Sequence, residues 1–405
     1  MASVYANSYL TISAASCEGS AQGFVKAHAD SDQLQCELSA ITGAPGHFVH
    51  IRPHEAVKPR TFLTQRAWAF QERLLSPRVL HFTSHDMVFE CDTRTFYEGG
   101  PESHRSSLAF ADKRLVYESA HLQPSGKYAR IQLYDKWLRI VEEYSGKQLS
   151  FETDRFPALS GIAVLWQKQI GDEYVAGLWK EDMVAGLLWA CFDTALREKP
   201  PVYVAPSWSW ASAPGEVAFH RTPRHYMSLE ILHVETKLST SNRFGEISSA
   251  CLTVRGPLKT FPSHHLGYAD SSGRNHTVDY TWPPPSEVQL AISPLTQRDV
   301  KMSVMFDRPG FAQSDSIIEN FWCLACTSNQ SIDSAEFQQR SSRWCEPVSY
   351  DLVNRSHNAH GLVLERCDAE MAVYRRVGVF QIEDVSWMMA DWHHLGFEDS
   401  TLTIV

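Results

Sequence analysis

The sequence lacks any run of five or more like charges, and basic side chains are the minority. Lys and Arg number 37 against 47 Asp and Glu, leaving a formal charge of −10 over 405 residues. A phosphate backbone repels such a surface, so general nucleic-acid binding is excluded as a leading class. The chain also lacks the local anchors of the commonest enzyme classes. It contains no Gly-x-Ser-x-Gly elbow, no Gly-x-x-x-x-Gly-Lys phosphate loop, no Gly-x-Gly-x-x-Gly turn, no His-Glu-x-x-His pair and no EF-hand loop. No long hydrophobic run is present either. The longest, Met183 to Phe192, is about half of the ~20 residues that a bilayer span requires. The opening residues carry no basic region of a signal peptide. The nine cysteines are odd in number and scattered, which argues against a disulfide scaffold and for a reduced, cytoplasmic protein.

Apolar residues are abundant: 43% of the chain, with 12 Trp and 20 Phe. This is the composition of a folded protein with a large core or an apolar pocket. Tyr9 to Ala15 reads as a strand, and residues 62 to 75 as a helix closed by Pro77. Val79–Phe82 and Met87–Cys91 read as two strands around a polar turn. Ile131, Tyr134, Leu138 and Val141 recur at steps of three and four, predicting a helix over 128–144 with Gly146 at its end. A second helix is predicted from 155 or 156 to 170, with Asp154 as N-cap and Pro157 in its first turn, and a third over Met183–Phe192. Beyond Pro200-Pro201, short alternating runs take over: 226–234, 251–254, 288–292, 321–326, 361–364 and 373–382. The expected class is α+β, with a mixed α/β N-terminal half and a mostly antiparallel β C-terminal half. Three regions are expected, 1–110, 111–215 and 216–405.

Metal ligation has three candidates. Cys323-Leu-Ala-Cys326 has zinc-like spacing but no second pair, and lies in a strand-like run where neighbours point to opposite faces. His81 and His85, with Asp86 and Cys91, could gather on a hairpin. His47, His50 and His54 form the third group. Buried thiols and surface imidazoles are the simpler readings, and no metal is assigned.

The densest polar-aromatic string is Arg66-Ala-Trp68-Ala-Phe-Gln71-Glu72-Arg73-Leu-Leu. On a helix Trp68 and Glu72 share a face, so a carboxylate beside an aromatic and near guanidinium groups could serve as a tuned acid, base or orienting group. A structural Arg–Glu pair beside a buried Trp explains the same residues. The string Ala205-Pro-Ser-Trp208-Ser-Trp210-Ala211 is the second. Read as extended, it points both indoles to one face, offering an aromatic platform or, more simply, a packing corner.

Taken in order along the chain, these strings resemble one family, the fungal heterokaryon incompatibility (HET) domain proteins. Tyr5 to Ala15 followed by Gly23-Phe24 is similar to the family's middle section. Arg66-Ala-Trp68-Ala-Phe-Gln71-Glu72-Arg73 resembles its Arg-Ala-Trp-Thr-Leu-Gln-Glu-Arg motif, with Ala69 and Phe70 as variants. Asp154 to Gly161, Tyr174 to Trp179, Leu187 to Trp189 and Ala205 to Ala211 resemble the region that often follows, with a looser echo at Tyr374 to Gly378. The family's opening motifs are missing, so the resemblance, which spans roughly residues 1 to 215, implies an N-terminally shortened HET domain over 1–110 followed by a helical HET-associated region over 111–215. It implies self/non-self recognition by protein interaction, leading to programmed cell death. It also implies distant kinship with TIR domains, some of which cleave NAD with a glutamate, for which Glu72 is the matching carboxylate. An enzymatic alternative is a diverged HET scaffold acting on a small molecule, by NAD-type cleavage or by acid/base conversion (cyclisation or isomerisation) of an apolar metabolite. Its acid/base candidates are Glu72, His81, His85 and Asp154. The binding candidates are Arg66, Trp68, Gln71, Arg73, Trp208 and Trp210.

Overall fold

The computed structural model describes residues 1–19, 21–24, 34–37, 48–51, 62–83, 87–98, 113, 127–191, 202–221, 224, 227–262, 266–269, 275–278, 302–307, 320–327, 359–368, 370–382, 392 and 396–405. The class is α+β, and the chain divides into two compact units, Met1–Gly171 and Asp172–Val405.

The first unit holds a four-stranded sheet in the order β1-β4-β5-β6, from β1 (Thr11–Ser13), β4 (Arg78–Phe82), β5 (Met87–Cys91) and β6 (Thr95–Tyr97). β1 runs parallel to β4, and the other pairs are antiparallel. A separate two-stranded piece joins β2 (Leu34–Glu37) to β3 (Phe48–Ile51). The predicted strand at 9–15 and the predicted pair at 79–91 are present. Residues 62–75 do not form one helix. A 3₁₀ turn over Leu63–Gln65 ends at Arg66, whose extended backbone (φ −86, ψ 133) starts a new helix, α2 (Ala67–Leu75). Arg66 bridges to Gln148 at the end of the following helix, which fixes that break.

Helix α3 (Lys127–Ser145) follows its predicted period. Leu133, Tyr134, Trp137, Leu138, Ile140, Val141 and Tyr144 form its buried stripe. The stripe faces helix α4 (Ser160–Ile170), where Trp166 sits 6.1 Å from Trp137, ring to ring, and donates its indole N–H to Leu133 O at 3.0 Å. α4 starts later than predicted, after two 3₁₀ turns at Glu152–Arg155 and Pro157–Leu159. Asp154 does not cap it, and no side chain of its own N-cap residue does. Gly171, in the left-handed region at φ 69, ends it.

In the second unit the hairpin β7 (Tyr174–Val175) and β8 (Leu178–Trp179) turns on Ala176 (φ 46) and Gly177 (φ 91). The apolar run 183–192 is not one helix. α5 (Met183–Leu187) stops at Leu188, and β9 (Trp189–Cys191) pairs with β10 (Val217–Phe219). A short buried apolar run carries no period that separates helix from strand, and pairing with β10 decided it.

The remaining strands build a closed ring. β12 (Ile247–Pro262) pairs with β16 (Asn320–Ala325), β16 with β17 (Ala359–Arg366), and β17 with β18 (Val373–Ile382). β19 (Glu398–Ile404) joins β18 in parallel and returns to β12 antiparallel. β11 (Glu230–Leu238) extends one edge. β15 (Met302–Phe306), β14 (Asn275–Val278) and β13 (Leu266–Ala269) extend the other. Phe261, Phe321, Val363, Phe380, Trp392 and Phe397 are among the side chains in the core cluster. The predicted run 288–292 lies outside the described residues.

Candidate functional site

In the first unit, most of the residues singled out from the sequence gather around α2. The helix buries Ala67, Phe70, Leu74 and Leu75, and its polar side chains reach outward from that apolar face to three different elements. Trp68 donates its indole N–H to Asp154 Oδ2 at 3.0 Å. Gln71, almost fully buried, accepts the backbone N–H of Gly161 through Oε1 at 2.6 Å. That N–H belongs to the first turn of α4, where helices leave donors without intrahelical partners. Gln71 therefore supplies from another helix the cap that α4 lacks.

Arg73 grips Glu90 of β5 with a two-pronged pair, Nε to Oε2 at 2.8 Å and Nη2 to Oε1 at 2.6 Å. His81 Nε2 lies 3.2 Å from the same Oε2. Burial alone would raise the Glu90 carboxyl. The Arg73 charge, with hydrogen bonds from His81 and Arg73, outweighs that and holds it well below the usual carboxylate range. Lys113, also buried, points into the same group. Its ammonium donates to Ser76 O and stands 3.8 Å from Asp92 Oδ1. Burial draws the Lys113 pKa down, and the charges of Glu90 and Asp92 partly restore it.

Glu72 has a different partner. Its carboxylate accepts the phenol of Tyr5, on the short helix α1 (Ala2–Ala6), and burial, with this bond and the Glu72 charge adding to it, pushes the Tyr5 hydroxyl up to about 12. Thus Glu72 and Trp68 share a helix face as expected, but each serves another neighbour. Arg66 is exposed and contributes its backbone to the bridge with Gln148.

The expected Arg–Glu pair exists, but its glutamate is Glu90 and not Glu72. Helical spacing reveals only partners on the same helix. One sequence signal did point to Glu90: it is the single charge in the apolar strand Met87–Cys91, and such a charge requires a cation when buried. Nothing in the sequence pointed to Lys113, or to Tyr5 as the partner of Glu72.

The remaining candidates fall in two groups. His85 and Asp86 lie outside the described residues, as do His47 and His54. Trp208 and Trp210 belong to the second unit and are wholly buried. Their segment is a chain of tight turns rather than an extended strand: Ser209 N bonds Pro206 O, Ser212 N bonds Ser209 O, and Ala213 N bonds Trp210 O. Trp210 donates to Gly177 O at 3.0 Å and Ser209 Oγ to Ala176 O at 2.7 Å, so the string clamps the β7–β8 turn. Neither indole offers a face to a flat ligand.

Cys323 and Cys326 are both sealed in the core, where burial raises both thiols, Cys326 to about 12. They behave as small apolar side chains. Among the described residues no group of three or more His, Cys, Asp or Glu is placed to hold a metal ion, and no helix is long and apolar enough to cross a membrane. The chain matches no family model, no curated protein and no solved structure.

Proposed function

We propose that the chain is a HET-type self/non-self recognition protein, cytoplasmic and linked to programmed cell death, that acts by protein interaction. The observation that carries this reading is the use made of the Arg66–Arg73 motif. Trp68, Gln71 and Arg73 are each committed to an intrachain partner on a separate element. A motif used in this way is a structural signature that holds a surface in shape. Glu90 is equally committed, since a carboxylate kept ionised by a guanidinium cannot donate a proton near neutral pH.

The test is inducible expression of the full chain in a filamentous fungus, scored for growth arrest and cell death. Under the interaction reading, wild type and Glu72→Gln kill equally, and wild type co-purifies with a partner. Absence of death with both would end the proposal.

The alternative is an enzyme on the same scaffold, acting on NAD or an apolar metabolite. One observation favours it: Glu72 is only partly buried, and its described side-chain partner is a neutral phenol rather than a cation. If Glu72→Gln keeps the wild-type melting temperature but abolishes death, and wild type depletes NAD, this reading replaces the first.

A further inference from the structure

In the second unit, the β9–β10 ribbon meets the barrel through two buried contacts that share one electrostatic problem. β9 lies against β15 and β18. From β18, Arg376 lays its guanidinium on the Trp189 ring, 3.2 Å from the centroid, and donates through Nη2 to Trp189 O. Its side chain is sealed from solvent, and the Asp307 carboxylate stands 3.2 Å away. At the end of β10, His220 stacks on His360 of β17, with ring centroids 4.6 Å apart and planes inclined by 36°. The backbone ties both rings down: His220 N donates to Leu188 O at 2.8 Å, and His360 N to Thr327 Oγ1 at 3.0 Å.

Two neutral imidazoles can stack in a low-dielectric joint. A proton on His220 places a second positive charge near Arg376, one on His360 places a charge against His220, and burial withholds the water that would screen either. We propose that the His220–His360 stack is an acid-operated latch, closed while both rings are neutral, whose protonation releases the β9–β10 ribbon from the barrel.

The groups facing the pair are few among the described residues. Arg376 is the cation and Asp307 the carboxylate on it, while Cys326 and Cys191 are thiols near the guanidinium. Gln381, on β18, hydrogen-bonds His360 and favours its charged form slightly. Burial, with Arg376 adding to it, lowers His220 to about 4; burial, with His220 adding to it, lowers His360 to about 3. Both shifts are downward from 6.5. The closed state is therefore fully favoured above that value and weakens as pH falls through it toward the lowered ones. At pH 5 the linkage amounts to a roughly 20-fold rise in opening per histidine relative to pH 7.

The experiment is hydrogen exchange with mass spectrometry on the full chain at pH 7 and pH 5, corrected for the intrinsic pH dependence of exchange. The expected result is that peptides covering β9 and β10 lose protection at least tenfold at pH 5 and regain it on return to pH 7, while β17 stays protected. The double variant His220→Gln/His360→Gln should show no such increment. Unchanged protection in wild type, or an equal increment in the double variant, overturns the latch. If that variant does not fold, ring proton shifts of wild type decide. Protonation that begins only with ribbon opening supports the latch; free titration near pH 6.5 with the ribbon still protected overturns it.

Discussion

Gln71 Oε1 accepts the backbone N–H of Gly161 at 2.6 Å, across 90 residues of sequence, and so caps a helix that has no cap of its own. A buried donor left without an acceptor costs about 1–3 kcal/mol. Gln71→Leu, similar in size, should lower stability by about that amount. Gln71→Glu keeps an acceptor, and in mildly acidic urea, where its buried carboxyl takes up a proton and adds no buried charge, its loss should be smaller. Urea unfolding of the two variants should rank them in that order; equal losses would mean that the Gly161 N–H is not what Gln71 serves.

Gly161 is fixed by the same junction. A methyl group there would lie 2.6 Å from the Ala2 side chain and 2.8 Å from Gln71 Oε1. The Ala2 methyl cannot swing away, and Gln71 Oε1 can do so only by giving up its bond to the Gly161 N–H. Gly161→Ala should cost about 1–3 kcal/mol despite alanine's better helix propensity, because overpacking outweighs the backbone gain. A melting temperature at or above wild type would refute the close approach of α1, α2 and α4.

The Arg73–Glu90 pair should be visible in the acid stability of the first unit. The folded carboxyl is depressed, so its contribution is complete above the ordinary glutamate value of 4.5 and is lost as pH falls below it. Removing one partner strands a buried charge, so Arg73→Ala should destabilise by about 3–5 kcal/mol at neutral pH. Glu90→Gln should flatten the pH dependence below 4.5. Chemical denaturation between pH 3 and 7, read by hydrogen exchange of β4 and β5, measures both effects.

The clamp on the β7–β8 turn gives a further test. Ala176 holds a left-handed backbone that non-glycine residues rarely adopt, with Ser209 bonded to its carbonyl. Ser209→Ala should cost about 1 kcal/mol or more, since the lost partner is buried. Trp210→Phe should cost a similar amount for the bond to Gly177. Exchange protection of the 174–179 hairpin should fall in both variants, and protection of β17 should not.

How far the sequence could be read depends on where each residue's partners lie. Helix α3 was legible because its apolar period is its own, and β16, β17 and β18 because short runs of apolar, β-branched and aromatic residues mark strands. The run at 183–192 misled because apolarity without period fits helix and strand alike. The α2 cluster was legible as a concentration of polar residues on a helix, but its pairing was not. Arg73 bonds a residue on β5, Trp68 one 86 positions away, and Gln71 one 90 away, and no spacing rule reaches that far. Trp208 and Trp210 were assigned to one face on the assumption of an extended backbone, which the tight turns through Ser209 removed.

The strand that closes the ring, β19, pairs with β12 over Leu252–Leu258 and with the start of β18 at Val373 and Tyr374. As the chain leaves the ribosome, β12 is therefore made long before the partner that completes its second edge. Until then it has a backbone edge open to any extended strand it meets, the usual starting point of aggregation. Such late, long-range closure is intrinsically slow. Yield of this protein in a cell should depend on how well nascent β12 is shielded while β19 is still being synthesised.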